Sequence, residues 1–447
     1  MILVNLKKIP FADLNNWHFS DSFQNLRHDS GKFFSIDGIR IQTNQHIKEW
    51  EQPIINQPEI GYLGFITKEF NGILHFLMQA KIEPGNVNHV QLSPTLQATK
   101  SNYTQVHKGK RPHYLEYFIN ASPEQILVDQ LQSEQGARFL RKRNRNIIIK
   151  IDDNVPLLDN FIWLTLGQIK MLMMEDNMIN MDTRTVISGI SFSQENDNSK
   201  LNQIDFRNFD LSNVGLDLFQ SMYSVDQQKN SFEDIIRFVT RKKCEFELSV
   251  EKIPLKSIKN WIVGDTEIYH EEHKYFKVIA VEVEIGNREV VKWSQPMIEP
   301  AQDGICAFVC KKINGVIHFI VQAKLEAGNF DIIEFAPTVQ CLTGNYMLKP
   351  DSVPFLEMVL KAPKEQIVFD TLQSEEGGRF FREQNRNMLV FADDNMSDQL
   401  PDSYIWMTLN QLQNFIRFNN YVNIQARSLI AALSFINLEP DYAKYKN

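Results

Sequence analysis

The chain has 447 residues, of which 43% are apolar and 23% charged, which sets a prior of two or three domains with full cores. A formal net charge of −8 excludes a general nucleic-acid binder, which is basic, but leaves room for a local basic patch that holds a small anion. No stretch approaches the roughly 18 uninterrupted apolar residues of a membrane span, and MILVNLKKIPFADLNNWHF at the N-terminus lacks the basic region and apolar core of a secretory signal.

Along the chain, an extended N-terminal part leads to alternating strands over residues 61–82, with Asn71-Gly72 as the hairpin turn. Pro84-Gly85 ends the second of these strands. Ser122-Pro123-Glu124 reads as a helix start, with Ser as N-cap and Pro at the first helical position; the expected helix continues through LQSEQG towards residue 143. A strand is expected at NIIIKIDD (146–153) and a helix at LGQIKMLMMED. Residues 194–248 begin as a polar connector (SQENDNSKLNQ) and then take a helical spacing in FEDIIRFVTRK.

Beyond the connector the pattern starts again. NGILHFLMQAKIEPGN (71–86) is matched by NGVIHFIVQAKLEAGN (314–329), an offset of 243 between His75 and His318. The same offset pairs Asn102-Tyr103 with Asn345-Tyr346. It becomes 241 for DQLQSEQGARFLRKRNRN (129–146) and DTLQSEEGGRFFREQNRN (370–387), then returns to 243 at Trp163 and Trp406. Trp17 and Trp261 also correspond. The chain is therefore a tandem duplication: a first repeat over 1–193, a connector over 194–248 and a second repeat over 249–447, each an α+β unit with a mixed sheet. Cys244, Cys306, Cys310 and Cys341 all fall in the second half, without a second pair at metal-ligand spacing. They read as small apolar residues, and a reducing cytoplasm fits them.

Three motifs carry polar chemistry. Glu134 and Arg138, like Glu375 and Arg379, stand four apart, an ion pair on a helix face; the basic run RFLRKRNRN that follows also suits a phosphate. TKSNYTQVHKG (99–109) suits either a loop that grips a polar ligand or an Asx-turn ending a strand. In HFLMQAKIEPG, His75, Leu77, Gln79, Lys81 and Glu83 share one strand face, either a solvated face or the floor of a polar pocket. Their repetition as His318, Gln322, Lys324 and Glu326 favours the pocket. Lys81 and Glu83 then form an acid–base pair or a plain ion pair. No GxGxxG, Walker loop, HExxH or GxSxG elbow is present.

The segments LHFLMQAKIEPGN, QLSPTLQATKSNYTQVHKG and LVDQLQSEQGARFLRKRNRN resemble the NDP-hexose 2,3-dehydratase family over nearly the whole chain. The resemblance implies a hydro-lyase, active without cofactor or metal, that takes dTDP-4-keto-6-deoxy-D-glucose to dTDP-3,4-diketo-2,6-dideoxyglucose in deoxysugar biosynthesis. It also implies two Nudix-like units with flanking helices, a cytoplasmic homodimer, and neither nucleic acid nor membrane as partner. After Gly136 the chain is basic where a Nudix box is acidic. That speaks against the alternative of a Nudix-type nucleotide-sugar hydrolase; a non-catalytic nucleotide-sugar binding module is the other alternative.

By the same resemblance the substrate is expected against Trp17, Lys100, Ser101, Asn102, Tyr103, Thr104, Asn144 and Arg145. The second-repeat set is Trp261, Asn345, Tyr346, Arg379, Asn385 and Arg386. Lys81 and Tyr103 are expected to polarise the C4 carbonyl, with Glu116 or His75 as base. His89, His107 and His113 occur only in the first repeat, which is expected to be the catalytic one. Lys81, Tyr103, Glu116 and His75 recur in the second, so they do not themselves explain that asymmetry.

Overall fold

The computed structural model describes residues 4–21, 25–103, 111–191, 213–223, 225–286, 291–342 and 352–434. Each repeat supplies a small N-terminal sheet and a larger seven-stranded mixed sheet. In the first repeat the large sheet runs Ile126–Ser133, Arg143–Lys150, Gly61–Phe70, Ile73–Ile82 and Phe161–Thr165. Short strands Val90–Ser93 and Leu96–Ala98 are added to it. Only Arg143–Lys150 beside Gly61–Phe70 is parallel; the other pairings are antiparallel. The second repeat reproduces the order from Ile367–Ser374 to Tyr404–Thr408. The expected hairpin is present, with Asn71 and Gly72 at φ 51° and 80°, the left-handed pair that the Asn-Gly dipeptide accommodates.

The helix expected from residue 122 to 143 is not formed. Ser122 and Gln125 make a capping box, but around a single 3-10 turn, Pro123–Gln125, and the chain then enters the strand Ile126–Ser133. Val128, Gln130 and Gln132 alternate inward along it, so period two overrides the capping signal. Glu134 and Arg138 consequently lie in the loop between two strands, not on a helix face.

The repeats are contiguous in sequence but exchanged in space. Strand Val4–Ile9 pairs with Phe276–Ile285 of the second repeat, and Leu248–Ile253 pairs with Ser35–Thr43 of the first. Each N-terminal sheet is thus closed by a strand from the other copy. The indole N–H of Trp17 donates to the Ser294 carbonyl at 3.1 Å, and that of Trp261 to the Glu51 carbonyl at 2.8 Å. One apolar cluster runs across this exchange, with Phe139 and Phe380 edge-to-face at 5.8 Å.

Helices Met181–Ser188 and Ile424–Ala432 are buried along their whole lengths between the large sheets. The connector helices Asn213–Tyr223 and Phe232–Glu245 pack on the second repeat: Ser221 Oγ donates to the Ile317 carbonyl at 2.5 Å and the Lys229 backbone N–H donates to His318 Nε2 at 3.0 Å. His318 is accordingly fully buried while its counterpart His75 is half-exposed. The described cysteines are free thiols, and Cys306 and Cys310 share the buried face of one strand as expected. No helix among the described residues is long and apolar enough to cross a membrane.

Candidate active site at the seam between the repeats

Strand Ile73–Ile82 delivers Lys81 to the seam between the repeats, where its ammonium lies 3.4 Å from Glu83 Oε1. Both side chains are largely buried, at 11% and 5% exposure, so the pair is not the solvated surface pair that its spacing alone allows. Gln97 Nε2 donates to Glu83 Oε1 at 2.8 Å, and Asn180, the N-cap of the central helix, donates to Gln97.

The loop after Glu83 plugs into the other repeat. The Gly85 N–H donates to the Gly377 carbonyl at 2.7 Å and the Arg382 N–H donates back to Gly85 at 2.8 Å. The reciprocal bonds join Gly328 to Gly136 (2.6 Å) and Arg141 to Gly328 (2.8 Å). A Cβ on Gly377 would stand 2.9 Å from the Cβ of Glu83, and one on Gly136 equally close to Glu326; glycine is what allows the two backbones to approach. Two seam sites result. One joins the first repeat's Lys81, Glu83 and Asn86 to the second repeat's loop 374–383. The other joins Lys324, Glu326 and Asn329 to the first repeat's loop 133–142.

These loops carry buried carboxyls. Glu134 accepts from Asn144 Nδ2 at 2.6 Å, and Glu375 accepts from Asn385 and from Gln135 Nε2 across the seam. Burial raises the pKa of Glu134, Glu375 and Glu326, lifts Asp182 well above the carboxylate range, and pushes Glu376 and Glu383 to about 7 and Glu334 to about 8. Burial also lowers the Lys142 ammonium, although nearby Glu59, Glu134 and Glu376 oppose it. Arg138 lies 4.2 Å over Phe276, and Arg379 4.2 Å over Phe34 while its Nε donates to Gln57 at 3.2 Å. Among the described residues no three His, Cys, Asp or Glu side chains stand close enough together to hold a metal ion.

The expected site residues separate into groups. Tyr103 ends a single helical turn, Lys100–Tyr103, its ring edge-to-face with Tyr62 at 5.4 Å and its hydroxyl donating to the Ile60 carbonyl at 3.3 Å. Arg145 holds Asp129 by two bonds of 2.7 Å and donates to the Tyr62 hydroxyl at 3.1 Å. Tyr62 thus brings Tyr103 and Arg145 together, with Lys100 exposed nearby on the same turn. Asn144 lies behind Glu134, its Oδ1 accepting the Gly61 N–H. Arg386 grips Asp370 as Arg145 grips Asp129. Trp17 and Trp261 are core residues of the exchanged sheets. His75 stands six residues up the strand from Lys81, roughly 20 Å away, with Nδ1 at 2.8 Å from the Ile73 carbonyl. Glu116 is exposed and paired with Arg111. Neither expected base is therefore held against the buried Lys81–Glu83 pair. Thr104, Asn345 and Tyr346, and the side chains of Ser101 and Asn102, lie outside the described residues, as does His107.

The NDP-hexose 2,3-dehydratase family model matches residues 3–190 and 232–433, the two structural repeats together. The chain belongs to the NDP-hexose 2,3-dehydratase family. It is 44% identical over 431 residues to a dTDP-4-dehydro-6-deoxy-alpha-D-glucopyranose 2,3-dehydratase of Saccharopolyspora spinosa, covering 95% of this chain and 87% of that protein. Proteins of the same description from Amycolatopsis orientalis and Streptomyces violaceoruber are 42% and 40% identical, over 98% and 96% of this chain and 88% and 93% of theirs.

The two seam sites of this dehydratase-family chain are not chemically alike. The site on the first repeat has Lys81, Glu83 and Asp182 facing Glu376. At the equivalent places the other has Lys324, Glu326 and Gln425 facing Gln135. Two acids of the first site are amides in the second, while Gln91 of the first, which accepts from Ser374 Oγ, is the acid Glu334 in the second, which accepts from Ser133 Oγ. Glu376 is visible in the sequence as a mismatch within the repeated QSE segment, whereas Asp182 lies in a stretch that shares only Asn180, Arg184 and Ile187 with its counterpart and carries no such mark.

Proposed function

We propose that this chain is a hydro-lyase that eliminates water across C2 and C3 of dTDP-4-keto-6-deoxy-D-glucose to give dTDP-3,4-diketo-2,6-dideoxyglucose. Membership of the dehydratase family, with like-named relatives over at least 95% of the chain, supports the reaction. The observation that supports its place is the buried Lys81–Glu83 pair at the seam.

The substrate's C4 carbonyl acidifies the C3 hydrogen. A donor on the C4 oxygen stabilises the enolate that forms when that proton leaves, and one well-placed donor is typically worth about 2.7–4 kcal/mol. The Lys81 ammonium is such a donor. Glu83, beside it, takes the place that Glu116 or His75 was expected to fill and receives the C3 proton. The enolate then expels the C2 hydroxyl. The resulting C2=C3 enol tautomerises, with a proton reaching C2 and the C3 hydroxyl becoming the second ketone. The group of Lys100, Tyr103, Tyr62 and Arg145 supplies cationic and aromatic surface for the nucleoside diphosphate, with Asn144 supporting it from behind.

The protein is further read as a cytoplasmic homodimer, which light scattering of the purified chain checks. The reaction is tested by incubating chain and substrate with a chelator and trapping the vicinal diketone with an aromatic 1,2-diamine. A quinoxaline with the mass of substrate plus diamine less three waters, one from the elimination and two from the condensation, supports the reading. Unchanged substrate, or dTMP release that requires added magnesium, overturns it.

A further inference from the structure

Glu376 and Gln135 hold equivalent places in the two seam loops, each one residue ahead of the glycine on which the other repeat's loop rests. On one side the Gln135 amide donates to Glu375, a neutral group satisfying a carboxylate. On the other, Glu376 lies within electrostatic reach of Glu134, whose Oε2 accepts no hydrogen bond. Glu83 Oε2, Asn86 Oδ1 and Asp182 Oδ1 likewise have no hydrogen-bond partner, although these side chains are only 5%, 3% and 2% exposed. Asn86 Oδ1 borders Gly377 directly. Buried polar atoms are nearly always satisfied, so these mark a place that a polar ligand completes, beside the partly exposed Lys81 and Glu376.

We propose that Glu376, carried by the second repeat, is the general acid of the site that the first repeat builds around Lys81 and Glu83. The inference rests on the dehydratase reading. Glu376 gives its carboxyl proton to the C2 hydroxyl oxygen as the C2–O bond breaks. The enolate electrons move to form C2=C3 and restore the C4 carbonyl, and water departs. Glu83 releases the C3 proton to solvent; on tautomerisation the C3 hydroxyl returns a proton to Glu376 and C2 takes one from solvent, so acid and base end as they began.

The surroundings suit a carboxyl that is protonated until it is needed. Glu376 faces Glu83 on the 83–86 loop, Glu134 and Lys142 on the 134–142 loop, and Asp182 on the central helix, while Arg379 and the Gly378 N–H lie on its own loop. Burial and the neighbouring carboxyls raise it to about 7 against the pull of Arg379. The sister site has Gln135 and Gln425 at the Glu376 and Asp182 places, and its buried acid, Glu334, stands instead at the place of Gln91 and is held by Ser133 Oγ at 2.6 Å, so one chain carries one dehydrating centre built from both repeats.

The test compares the full-length wild-type chain with Glu376→Gln in deuterated buffer. Dehydration is expected to fall by roughly 10²-fold or more, the scale of a lost general acid, with KM within about twofold. Recovered substrate should still gain deuterium at C3, because Lys81 and Glu83 remain. Glu326→Gln in the sister site should keep turnover within about threefold. Wild-type kcat should fall on the alkaline side of a pKa near 7 and regain nothing up to pH 9. Wild-type turnover in Glu376→Gln, loss of C3 exchange together with turnover, or a kcat independent of pH between 6 and 9 would each overturn the assignment. The pH profile needs no variant and so decides even if the substitution unfolds the chain. A wild-type chain that neither exchanges C3 nor loses water sinks the dehydratase reading itself.

Discussion

Arg184 and Arg427 hold equivalent positions on the two central helices, and each crosses to the other repeat to donate to the carbonyl of the serine in its QSE motif. Arg184 reaches Ser374 and Arg427 reaches Ser133, both at 2.6 Å. Arg184 also donates to Gln373 at 3.1 Å and Ser428 at 2.6 Å, and Arg427 to Thr185 at 3.0 Å. Two guanidiniums at 1% exposure thus tie the seam loops to the helices behind them.

Replacing Arg184 by Met should therefore strip donors from several buried acceptors at once. Removing one partner of a buried charged network typically costs about 3–5 kcal/mol, and chemical denaturation should show a loss of that size in a single transition shared by both repeats. A loss under about 1 kcal/mol, or two separate transitions, would contradict the interlocked seam.

The exchanged strand makes a second demand. Val4, Leu6 and Ile9 pack on the second repeat, so deleting residues 1–9 should expose the edge of Phe276–Ile285, far away in sequence. Hydrogen exchange should show lost amide protection over 276–285 while the first repeat's large sheet stays protected. Unchanged protection there would mean that the edge does not depend on the strand.

How much of this was legible in the sequence follows from how local each signal is. The duplication, the Asn71-Gly72 hairpin, the strand at 146–150 and the helix after Trp163 are written in contiguous residues. The strand at 126–133 is masked because Ser122-Pro123-Glu124 is a sound helix start for one turn, and the inward alternation of Val128, Gln130 and Gln132 counts only once a sheet lies beneath it. The exchange of Val4–Ile9 and Leu248–Ile253 has no local mark: both strands alternate much as any edge strand does. Lys81 was found because it stands in a repeated motif. Glu376 breaks the repetition and Asp182 stands in a helix that is scarcely repeated at all, so the meaning of both needs the seam that brings Gly377 against Glu83.

The raised carboxyls also set a pH dependence of stability. Glu334 titrates at about 8 and Glu383 at about 7 in the folded chain, against an ordinary 4.5. Between those values the folded state binds more protons than the unfolded one, so stability falls as pH rises. Their stabilising contribution is complete below about 4.5 and is lost as pH passes through 7 to 8. His318 and His270, lowered by burial from 6.5, act in the opposite sense below pH 6.5, so the fall should be clearest from 6.5 to 8. Thermal midpoints should decline across that range, and Glu334→Gln should flatten the decline. A midpoint that rises from pH 6.5 to 8 would contradict the buried placement.

Lys81→Met removes the proposed donor to the C4 oxygen. Loss of one such donor elsewhere costs roughly 10²–10³-fold in kcat, and the same fall is expected here. Lys324→Met, at the equivalent place in the second repeat, should leave kcat within a few-fold. Equal losses from both would show that the sister site turns over as well.

The central claim is that proton removal at C3 leads to loss of the C2 hydroxyl, and solvent-deuterium labelling of the wild-type product reads it directly. With chain and dTDP-4-keto-6-deoxy-D-glucose in deuterated buffer, no metal added and the product trapped as it forms, mass spectrometry should show one water lost and deuterium at C2 of the sugar. A product without deuterium at C2, or substrate bound and released unchanged, would contradict the account.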